Sequence, residues 1–288
     1  MKTMTQPLKW HGGKFYLAEW IIGHFPPHVH YVEPYFGGGS VLLQKPAEWI
    51  EGHSEVVNDI DKQLTNFWQE CKGEQFQWAV DNVPFSQVVW KSAYALSKAL
   101  GDEIPEREFS HPCNRLFAAI NFFIRYRQSR QGLGKDFATL SRNRTRRGMN
   151  EQASSWLTAI EGLPEIHERL KRVVILCDDA LKVIRQQDGP NTLFYLDPPY
   201  LPDTRASTGE YGEHEMSFED HEELLSTLAG IEGKFLLSGY GSGLYDLQAS
   251  DSGWFCREKV IDCKASSKKE KEDRTECLWM NFESQIDR

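Results

Sequence analysis

The sequence predicts an α/β chain with a doubly wound, Rossmann-like sheet and an inserted, mainly helical subdomain. Three observations favour this fold class. Strand and helix patterns alternate towards both ends of the 288-residue chain, a glycine-rich turn at residues 37–39 follows the first strand pattern, and the alternation stops between about residues 73 and 155. We therefore expect residues 1–72 and 156–288 to form the sheet domain and residues 73–155 to form the insertion.

The first part of the chain has a strand–helix–strand pattern. Its first helical pattern stops at a pair of prolines, Pro26-Pro27, because proline cannot continue a helix. The glycine turn separates the first strand from the next helix, as in nucleotide-binding α/β folds. The patterns predict strands over His30–Glu33 and Glu55–Asn58, and helices over Lys14–Phe25, Ser40–Gln44 and Asp61–Cys71.

The middle of the chain has a different pattern. Residues 76–100 are rich in aromatic residues at helical spacing, and residues 101–112 are charged and interrupted by prolines. An apolar helix is expected over Cys113–Tyr126, and a polar, arginine-rich stretch then continues to Asn150. The buried face of that helix is expected to carry Leu116, Ala119, Ile120 and Phe123.

Strand and helix patterns alternate again in the last part. Ser217 followed by Asp220 predicts a helix start in which each side chain bonds the other's backbone N–H. Two final runs are expected to pair as an antiparallel hairpin, Trp254–Asp262 with Thr275–Phe282. The remaining elements are helices over Ala153–Lys171, Ala180–Gln187, Phe218–Gly230 and Gly241–Ala249 and strands over Val173–Cys177, Thr192–Leu196 and Lys234–Ser238.

Composition excludes several classes of protein. Residues 1–10 lack the apolar core of a secretory signal, and no apolar run is long enough to span a bilayer. The six cysteines are scattered without a CxxC pair, and no histidine has metal-ligand spacing to them. We therefore expect reduced thiols, no metal site and a cytoplasmic location.

The distribution of charge points to a nucleic-acid partner. The net charge of −9 alone argues against one, but residues 114–147 contain nine basic residues and a single acid, Asp136. Eight of the nine are arginines, whose guanidinium groups suit phosphates and guanine edges. A solvated surface face is the alternative interpretation. The basic residues are Arg115, Arg125, Arg127, Arg130, Lys135, Arg142, Arg144, Arg146 and Arg147.

The most informative local feature is Asp197-Pro198-Pro199-Tyr200, which directly follows the apolar run Thr192–Leu196. Its carboxylate and prolyl carbonyls can accept hydrogen bonds from an amino group, and its aromatic ring can stack on a flat heterocycle. These groups suit the exocyclic amine of a base. The alternative is a Pro-Pro turn that ends a strand, because proline cannot donate to the ladder.

A second feature is the turn from Glu33 to Ser40, which contains three successive glycines. Glycine lets the backbone pass close to a ligand, but such turns serve NAD, FAD, phosphates and S-adenosylmethionine (SAM) alike. Asp59 follows the second strand, where an acid can bind ribose hydroxyls in these folds. A helix N-cap is an equally good interpretation of Asp59.

These features, with Lys9-Trp10-His11-Gly12-Gly13-Lys14 and Asn58-Asp59-Ile60, closely resemble the DNA adenine methylase family in motif and in order. The resemblance covers about residues 1–70 and 165–282, and residues 142–150 resemble the phage and prophage type. It implies site-specific methyl transfer from SAM to the N6 amine of a flipped-out adenine in duplex DNA, with the insertion as the target-recognition subdomain.

The resemblance also implies residue roles. Asp197, Pro198, Pro199 and Tyr200 would hold the adenine. Cofactor contacts would come from Trp10, Lys14, Glu33, Gly37, Gly39, Asp59, Asp178 and Asp197, although capping of a helix is an equally good interpretation of Asp178.

The charge pattern, rather than the resemblance, predicts which residues bind DNA. They lie in the insertion and in a polar loop near the C-terminus, and they are Arg125, Arg127, Arg130, Arg142, Arg144, Arg146, Arg147, Lys268 and Lys269.

Some residues depart from the family pattern. Tyr35 stands where phenylalanine is usual, and His11 stands where alanine is usual. The family's usual recognition sequences are absent from the insertion, so its usual target sequence is not assumed. Three alternatives stay open: methylation of another amino group, such as cytosine N4 or a protein glutamine; a nicotinamide-dependent dehydrogenase; and a non-catalytic DNA-binding module. Phe218 is either a second aromatic for the base or a core residue.

Overall fold

The computed structural model describes residues 4–10, 12–47, 52–100, 111–204, 214–261, 274–284 and 286. The chain divides into two compact units whose segments interleave along the sequence. The first unit contains residues 1–19, 36–49 and 59–177, and the second contains residues 20–35, 50–58 and 178–288. No helix in the described segments is both long enough and apolar enough to cross a membrane.

Helices and strands alternate along much of the described chain. The helices are α1 (Ala18–Gly23), α2 (Lys62–Cys71), α3 (Glu74–Asp81), α4 (Gln87–Leu100), α5 (Pro112–Arg127), α6 (Glu151–Leu170), α7 (Ala180–Gln187), α8 (Phe218–Ala229) and α9 (Gly243–Ser252). The strands are β1 (His30–Glu33), β2 (Ser54–Asn58), β3 (Thr145–Arg146), β4 (Met149–Asn150), β5 (Val173–Leu176), β6 (Thr192–Leu196), β7 (Lys234–Tyr240), β8 (Phe255–Ile261) and β9 (Arg274–Met280).

The second unit holds six of the seven strands of the main sheet, in the order β2-β1-β6-β7-β9-β8. β1 pairs in parallel with both β2 and β6, and β6 pairs in parallel with β7. β9 pairs antiparallel with β7 and with β8. After β1 the next strand of this sheet is β2, on one side of the β1–β6 pair, and after β6 it is β7, on the opposite side. The β1–β6 pair is therefore a topological switch point.

The apolar sequence of β6 explains its central position. All five of its residues are buried, as expected of a strand covered on both faces. Its neighbour β7 is buried over Phe235–Gly239, and β9 is buried from Glu276 to Met280. The core of the second unit therefore lies along these three strands.

Aromatic side chains form the core of the first unit. Phe67 of α2 stacks almost parallel on Phe123 of α5, with ring centroids 5.8 Å apart and an interplanar angle of 8°. Phe123 also contacts Trp156 of α6 at 5.1 Å. The Trp156 indole donates to the Val83 carbonyl at 2.9 Å, and the Trp90 indole donates to the Arg125 carbonyl at 2.9 Å. Both tryptophans are thus buried with their polar atoms satisfied.

A short hairpin lies in the arginine-rich stretch. β3 and β4 pair antiparallel, with Arg146 opposite Met149. The two turn residues, Arg147 and Gly148, have φ angles of +56° and +73°. Positive φ at both central positions is the geometry that matches the twist of a two-residue hairpin. All residues from Arg142 to Gly148 are exposed, so the hairpin presents its arginines to solvent.

Most predicted elements are confirmed with small shifts at their ends, although the helix predicted over Lys14–Phe25 is only the shorter α1, Ala18–Gly23. Three elements match their predicted bounds residue for residue: the strands His30–Glu33 and Thr192–Leu196 and the helix Ala180–Gln187. The two terminal strands pair as an antiparallel hairpin, as expected. The Ser217 side chain accepts from Asp220 N–H while the Asp220 carboxylate accepts from Ser217 N–H, which confirms the predicted cap. The parallel strands confirm the predicted Rossmann-like α/β class at this level, while the division at residues 73 and 155 stays a prediction.

Three sequence predictions are wrong. Residues 40–44 form hydrogen-bonded turns rather than a helix. The helical pattern over residues 76–100 is two helices, α3 and α4, separated at Asn82–Ser86, where Pro84 lacks the N–H that a continuous helix requires. The buried face predicted for α5 is wrong only in part: Ala119 and Phe123 are buried as predicted, but Leu116 and Ile120 are half-buried, and Phe122 and Ile124 are buried instead.

Two glycines with similar backbone angles allow a matched test of packing. A Cβ at Gly132, whose φ is +74°, would lie 2.2 Å from the Lys9 carbonyl oxygen, whereas a Cβ at Gly148, whose φ is +73°, would meet nothing within 4 Å. Left-handed strain alone costs about 1–2 kcal/mol in either alanine variant. We expect Gly132→Ala to lower the free energy of unfolding by roughly 1–3 kcal/mol more than Gly148→Ala does, because the clash adds overpacking.

Urea unfolding of the two variants and of the wild-type protein measures this difference. Equal losses of stability would contradict the close approach of Lys9 to Gly132.

Candidate active site

Two carboxylates lie at the switch point of the second unit. Glu33 is the last residue of β1, and Asp197 directly follows β6. Since β1 and β6 are parallel neighbours, their carboxyl ends meet at one edge of the sheet. Glu33 is only 2% exposed and accepts a hydrogen bond from the Tyr31 hydroxyl at 2.6 Å. Burial, with Glu33 nearby, raises the pKa of Tyr31 well above its ordinary value, so this donor stays protonated.

Residues 197–200 directly follow β6 and end in a tyrosine that two neighbouring side chains hold in place. Asp197 is half-buried and Tyr200 is buried. The Tyr200 hydroxyl donates to Glu276 in β9, and its ring lies edge-on to Tyr240, with centroids 4.7 Å apart. Burial raises the pKa of Tyr200 well above its usual value, and the charges of Asp197 and Glu276 add to the effect. Tyr200 is therefore a neutral ring whose hydroxyl is engaged within the protein.

Asn58, at the end of β2, connects two loops at the same edge. Its side-chain amide donates to the Pro34 carbonyl at 3.0 Å and to the Asp178 carbonyl at 2.9 Å, while its oxygen accepts from Asp178 N–H at 2.9 Å. The Asp178 carboxylate accepts from Lys182 and from the backbone of Asp179, and these bonds lower its pKa. Because Asp179 is the N-cap of α7, Asp178 itself does not cap the helix.

Asp59 holds the glycine turn within the first unit. Its carboxylate accepts from Gly37 N–H at 2.8 Å and from Asp61 N–H at 3.0 Å. Asp61, not Asp59, caps α2, so the interpretation of Asp59 as the helix cap is wrong. The indole of Trp68 donates to the Gly37 carbonyl at 2.9 Å, which fixes the turn from the opposite direction.

The glycines are required by the close approach of Trp10. A Cβ at Gly38 would lie 2.6 Å from the Trp10 Cβ, and Gly37 and Gly39 have φ angles of +52° and +68°. Trp10 in turn packs against Tyr126 of α5, at 5.1 Å between centroids. The predicted site residues of this unit are therefore held together by packing as well as by hydrogen bonds.

Two lysines in the same N-terminal segment are largely buried. Lys14 is 8% exposed, and its ammonium donates to the Gly12 carbonyl at 3.0 Å. The Lys9 ammonium donates to the Gln152 side chain at 3.0 Å. Burial, reinforced by Arg127, lowers the pKa of Lys9 to about 8, although Glu151 partly opposes this change.

The sequence of the chain was compared with known proteins. A family model described as "D12 class N6 adenine-specific DNA methyltransferase" matches residues 10–255. The chain belongs to this family. The members are methyltransferase enzymes that act on DNA, so the resemblance predicted from the motifs is confirmed, and the family implies a methyl-donor cofactor and DNA as substrate.

The curated relatives of this methyltransferase family member carry matching names. The chain is 26% identical over 277 residues to the DNA N-6-adenine-methyltransferase of Escherichia phage P1. This alignment covers 90% of this chain and 33% of the phage protein. It is 24% identical over 231 residues to the DNA adenine methylase of Vibrio cholerae serotype O1 (strain El Tor Inaba N16961), covering 78% of this chain and 76% of the relative. The chain thus spans about a third of the phage relative's length.

The structure separates the arginines of residues 114–147 into buried and exposed groups. Arg127 is buried and donates to the carbonyl and hydroxyl of Ser155, and burial lowers its pKa to about 10. Arg125 donates to the Gly134 carbonyl and lies over the Tyr126 ring at 5.2 Å. Both are thereby engaged within the fold of this family member.

The remaining arginines of the predicted set are exposed. Arg147 forms a two-bonded ion pair with Glu161 at 2.8 and 2.9 Å, and Arg144 lies 3.8 Å from Glu151. Other exposed members of the set are Arg130, Arg142 and Arg146. Lys268, Lys269 and His11 lie outside the described residues. Among the residues that are described, no group of three or more His, Cys, Asp or Glu side chains could hold a metal ion.

Sequence reasoning missed two residues of this edge and misjudged a third. Glu276 is a buried acid that precedes the apolar run Cys277–Met280, a contrast that is visible in the sequence. The sequence showed Asn58 only as part of the motif Asn58-Asp59-Ile60. That its side chain joins the loops at Pro34 and Asp178 is visible only in the folded structure. Phe218 is 50% exposed at the start of α8, so the interpretation of Phe218 as a core residue is wrong.

The low pKa of Lys9 predicts a pH-dependent difference in stability. In the unfolded chain the pKa of this amine is about 10.4. As the pH rises, the folded protein therefore loses this proton before the unfolded chain does. Burial of the charged amine therefore costs stability below about pH 8, and the cost disappears as the pH rises to about 10.5. The quantity to compare is the free energy of unfolding of Lys9→Met minus that of the wild type. We expect this difference to be larger at neutral pH than at pH 10.5, by up to about 3 kcal/mol.

Denaturant unfolding of both proteins between pH 7 and pH 10.5 checks this, since other titrating groups cancel in the comparison. A stability difference that does not change over this range would show that Lys9 is not buried as a charged group.

Proposed function

We propose that the chain transfers a methyl group from SAM to the N6 amine of an adenine that is flipped out of duplex DNA. The observation that carries the proposal is the position of Asp197–Tyr200 directly after β6, beside the carboxyl end of β1. Open α/β sheets bind their ligands at such a switch point. Membership of an adenine-specific DNA methyltransferase family supports the same chemistry.

The proposed cofactor residues are chemically suited to SAM. Glu33 and Asp59 both carry carboxylates, which accept hydrogen bonds from hydroxyl and amino groups such as those of SAM. Asp59 is proposed to bind the ribose hydroxyls. The other proposed contacts are Trp10, Lys14, Gly37, Gly39, Asp178 and Asp197. When bound, SAM supplies a methyl group that is already activated on a sulfonium.

Asp197 and its neighbours are proposed to prepare the adenine amine. The lone pair of that amine is delocalised into the ring, which makes the nitrogen a poor nucleophile. A carboxylate oxygen of Asp197 and a carbonyl of the prolyl segment would accept its two N–H bonds and favour a pyramidal nitrogen. The ring of Tyr200 would support the flipped base by stacking. Positioning and exclusion of water are then the protein's contribution.

The exposed arginines are proposed to bind the DNA. Arg130, Arg142, Arg144 and Arg146 are exposed on the protein surface, with Arg144 3.8 Å from Glu151, and Arg146 directly precedes the turn of the β3–β4 hairpin. Arg125 and Arg147 would have to give up contacts within the protein first. Arg127 is not carried into the proposal because it is buried against Ser155. Lys268 and Lys269 are proposed as phosphate contacts.

The direct test is incubation of the wild-type protein with duplex DNA and SAM that carries a tritiated methyl group. Nucleoside analysis of the product should find the label in N6-methyladenosine. Label in N4-methylcytosine, or label only in added protein, would replace the proposal with one of the other amino-group substrates. Absence of label in a folded, SAM-binding protein would reject catalysis by this chain.

Replacing the carboxylate should remove most of the activity. Because Asp197 is proposed to act on the amine in the transition state, Asp197→Ala should slow single-turnover transfer by about 100-fold or more. DNA binding, measured by gel shift, should change little. A variant that transfers methyl groups at near wild-type rate would exclude Asp197 from the mechanism.

Arginines that read bases should differ from cations that contact phosphates. Alanine variants of Arg130, Arg142, Arg144 and Arg146 should include at least one that relaxes the methylated sequence, with about 1–3 kcal/mol of discrimination lost. Lys268→Ala or Lys269→Ala should instead weaken binding to all sequences and flatten its salt dependence. Methylation of a randomised-site library measures the sequence preference, and binding titrations at several salt concentrations measure the affinity and its salt dependence.

A charge-matched control is Arg185→Ala, since Arg185 is bonded to Glu223 on the surface of the second unit. If every variant of the insertion keeps the wild-type sequence preference and loses rate only, the insertion is a phosphate clamp and recognition lies elsewhere.

A further inference from the structure

Glu276 is a buried acid for which neither the motifs nor the family match supplies a role. It lies in β9, is 1% exposed, and is beyond residues 10–255, which the family model matches. A carboxyl group at such a depth is costly unless it is hydrogen-bonded. One of its bonds comes from the hydroxyl of Tyr200, 76 residues earlier in the chain.

The Tyr200 ring is held at a second place. It packs edge-on against Tyr240, with an interplanar angle of 79°. Tyr240 ends β7 and is paired with Glu276 across the β7–β9 ladder, so the two groups that hold Tyr200 are themselves register partners. The Arg274 guanidinium lies 5.5 Å from the Tyr240 ring centroid, and it donates to the Tyr240 hydroxyl at 3.4 Å. The support for Tyr200 is therefore part of the sheet.

Because Asp197 and Tyr200 are joined by a short, stiff peptide, fixing Tyr200 also restricts the position of Asp197. Two prolines, Pro198 and Pro199, separate Asp197 from Tyr200 and fix two φ angles. β6 holds the beginning of the segment, and Glu276 holds its end. A segment held at both ends with few free torsions keeps its carboxylate, carbonyls and ring in one mutual arrangement.

We propose that Glu276 is a positioning residue for methyl transfer. It accepts the Tyr200 hydroxyl bond and so fixes the direction of the Tyr200 ring axis, while the edge-on contact with Tyr240 restrains the ring plane. Together these contacts hold residues 197–200 in one conformation in the absence of substrate. The inference rests on the proposed function, because it assigns Glu276 a role in the same site. It also means that the Tyr200 hydroxyl is engaged within the protein and that the base meets the ring face.

The test compares three variants with the wild-type protein on DNA that contains its mapped target site. Glu276→Gln keeps an acceptor oxygen, Glu276→Leu removes it, and Tyr200→Phe removes the donor but keeps the ring. Glu276→Leu and Tyr200→Phe should each lower kcat by about 10- to 100-fold, as expected for a misplaced reacting group, with little change in the KM for SAM. Glu276→Gln should retain most of the activity.

Two further readouts separate positioning from a general structural role. The double variant Glu276→Leu/Tyr200→Phe should lose no more activity than either single variant, because both break one interaction. Duplexes with 2-aminopurine at the target adenine should show an altered fluorescence change on binding in these variants. The matched control is Tyr245→Phe, which removes another buried tyrosine bond in the same unit, to His221 at 2.8 Å, and should leave kcat and the fluorescence change as in the wild type.

The outcomes distinguish this inference from the proposed function. If the wild-type protein does not methylate adenine, the proposed function fails first. If the wild type is active and folded Glu276→Leu keeps its kcat, the positioning role is rejected. Additive losses in the double variant, or full activity of Tyr200→Phe beside an inactive Glu276→Leu, would show that Glu276 does not act through Tyr200.

Discussion

The parallel pairing of β1 with β6 is the constraint on which the site in the second unit depends. These strands are far apart in sequence, yet their register pairs Val32 with Phe194 and brings Glu33 and Asp197 to the same edge of the sheet. The pairing is stable because β6 is mostly apolar and is buried over its whole length. Two acids at one edge would repel each other in a rigid apolar core, so their positions require polar neighbours.

Tyr31 is such a neighbour, since its hydroxyl donates to Glu33. Other acids of the protein are bonded in the same way: Tyr200 donates to Glu276, and backbone N–H groups donate to Asp59 in the first unit. Burial keeps both tyrosines protonated, so each remains a donor over the whole physiological pH range. Groups that are already bonded in the resting protein need little rearrangement when a ligand arrives, which is the condition for electrostatic preorganisation.

The sequence predicted the elements whose signals are local. β6 was predicted residue for residue because its apolar run is continuous, and the start of α8 was predicted because Ser217 and Asp220 are three residues apart. The predicted helix at Ser40–Gln44 is wrong, because the turn that precedes it is shaped by contacts with Trp10 and Trp68 that only the folded chain reveals. Glu276 was missed for the same reason. The division of the arginines into the buried Arg127 and the exposed hairpin also depends on tertiary partners such as Ser155.

Asp197 is proposed to bind the amine of the target adenine. A crystal structure of the protein with its target duplex and a non-reactive SAM analogue would test this contact. We expect a flipped adenine whose N6 lies about 2.7–3.2 Å from an Asp197 carboxylate oxygen, with the base stacked on Tyr200. A flipped adenine whose N6 is bound by other residues, with Asp197 beyond hydrogen-bond reach, would contradict it.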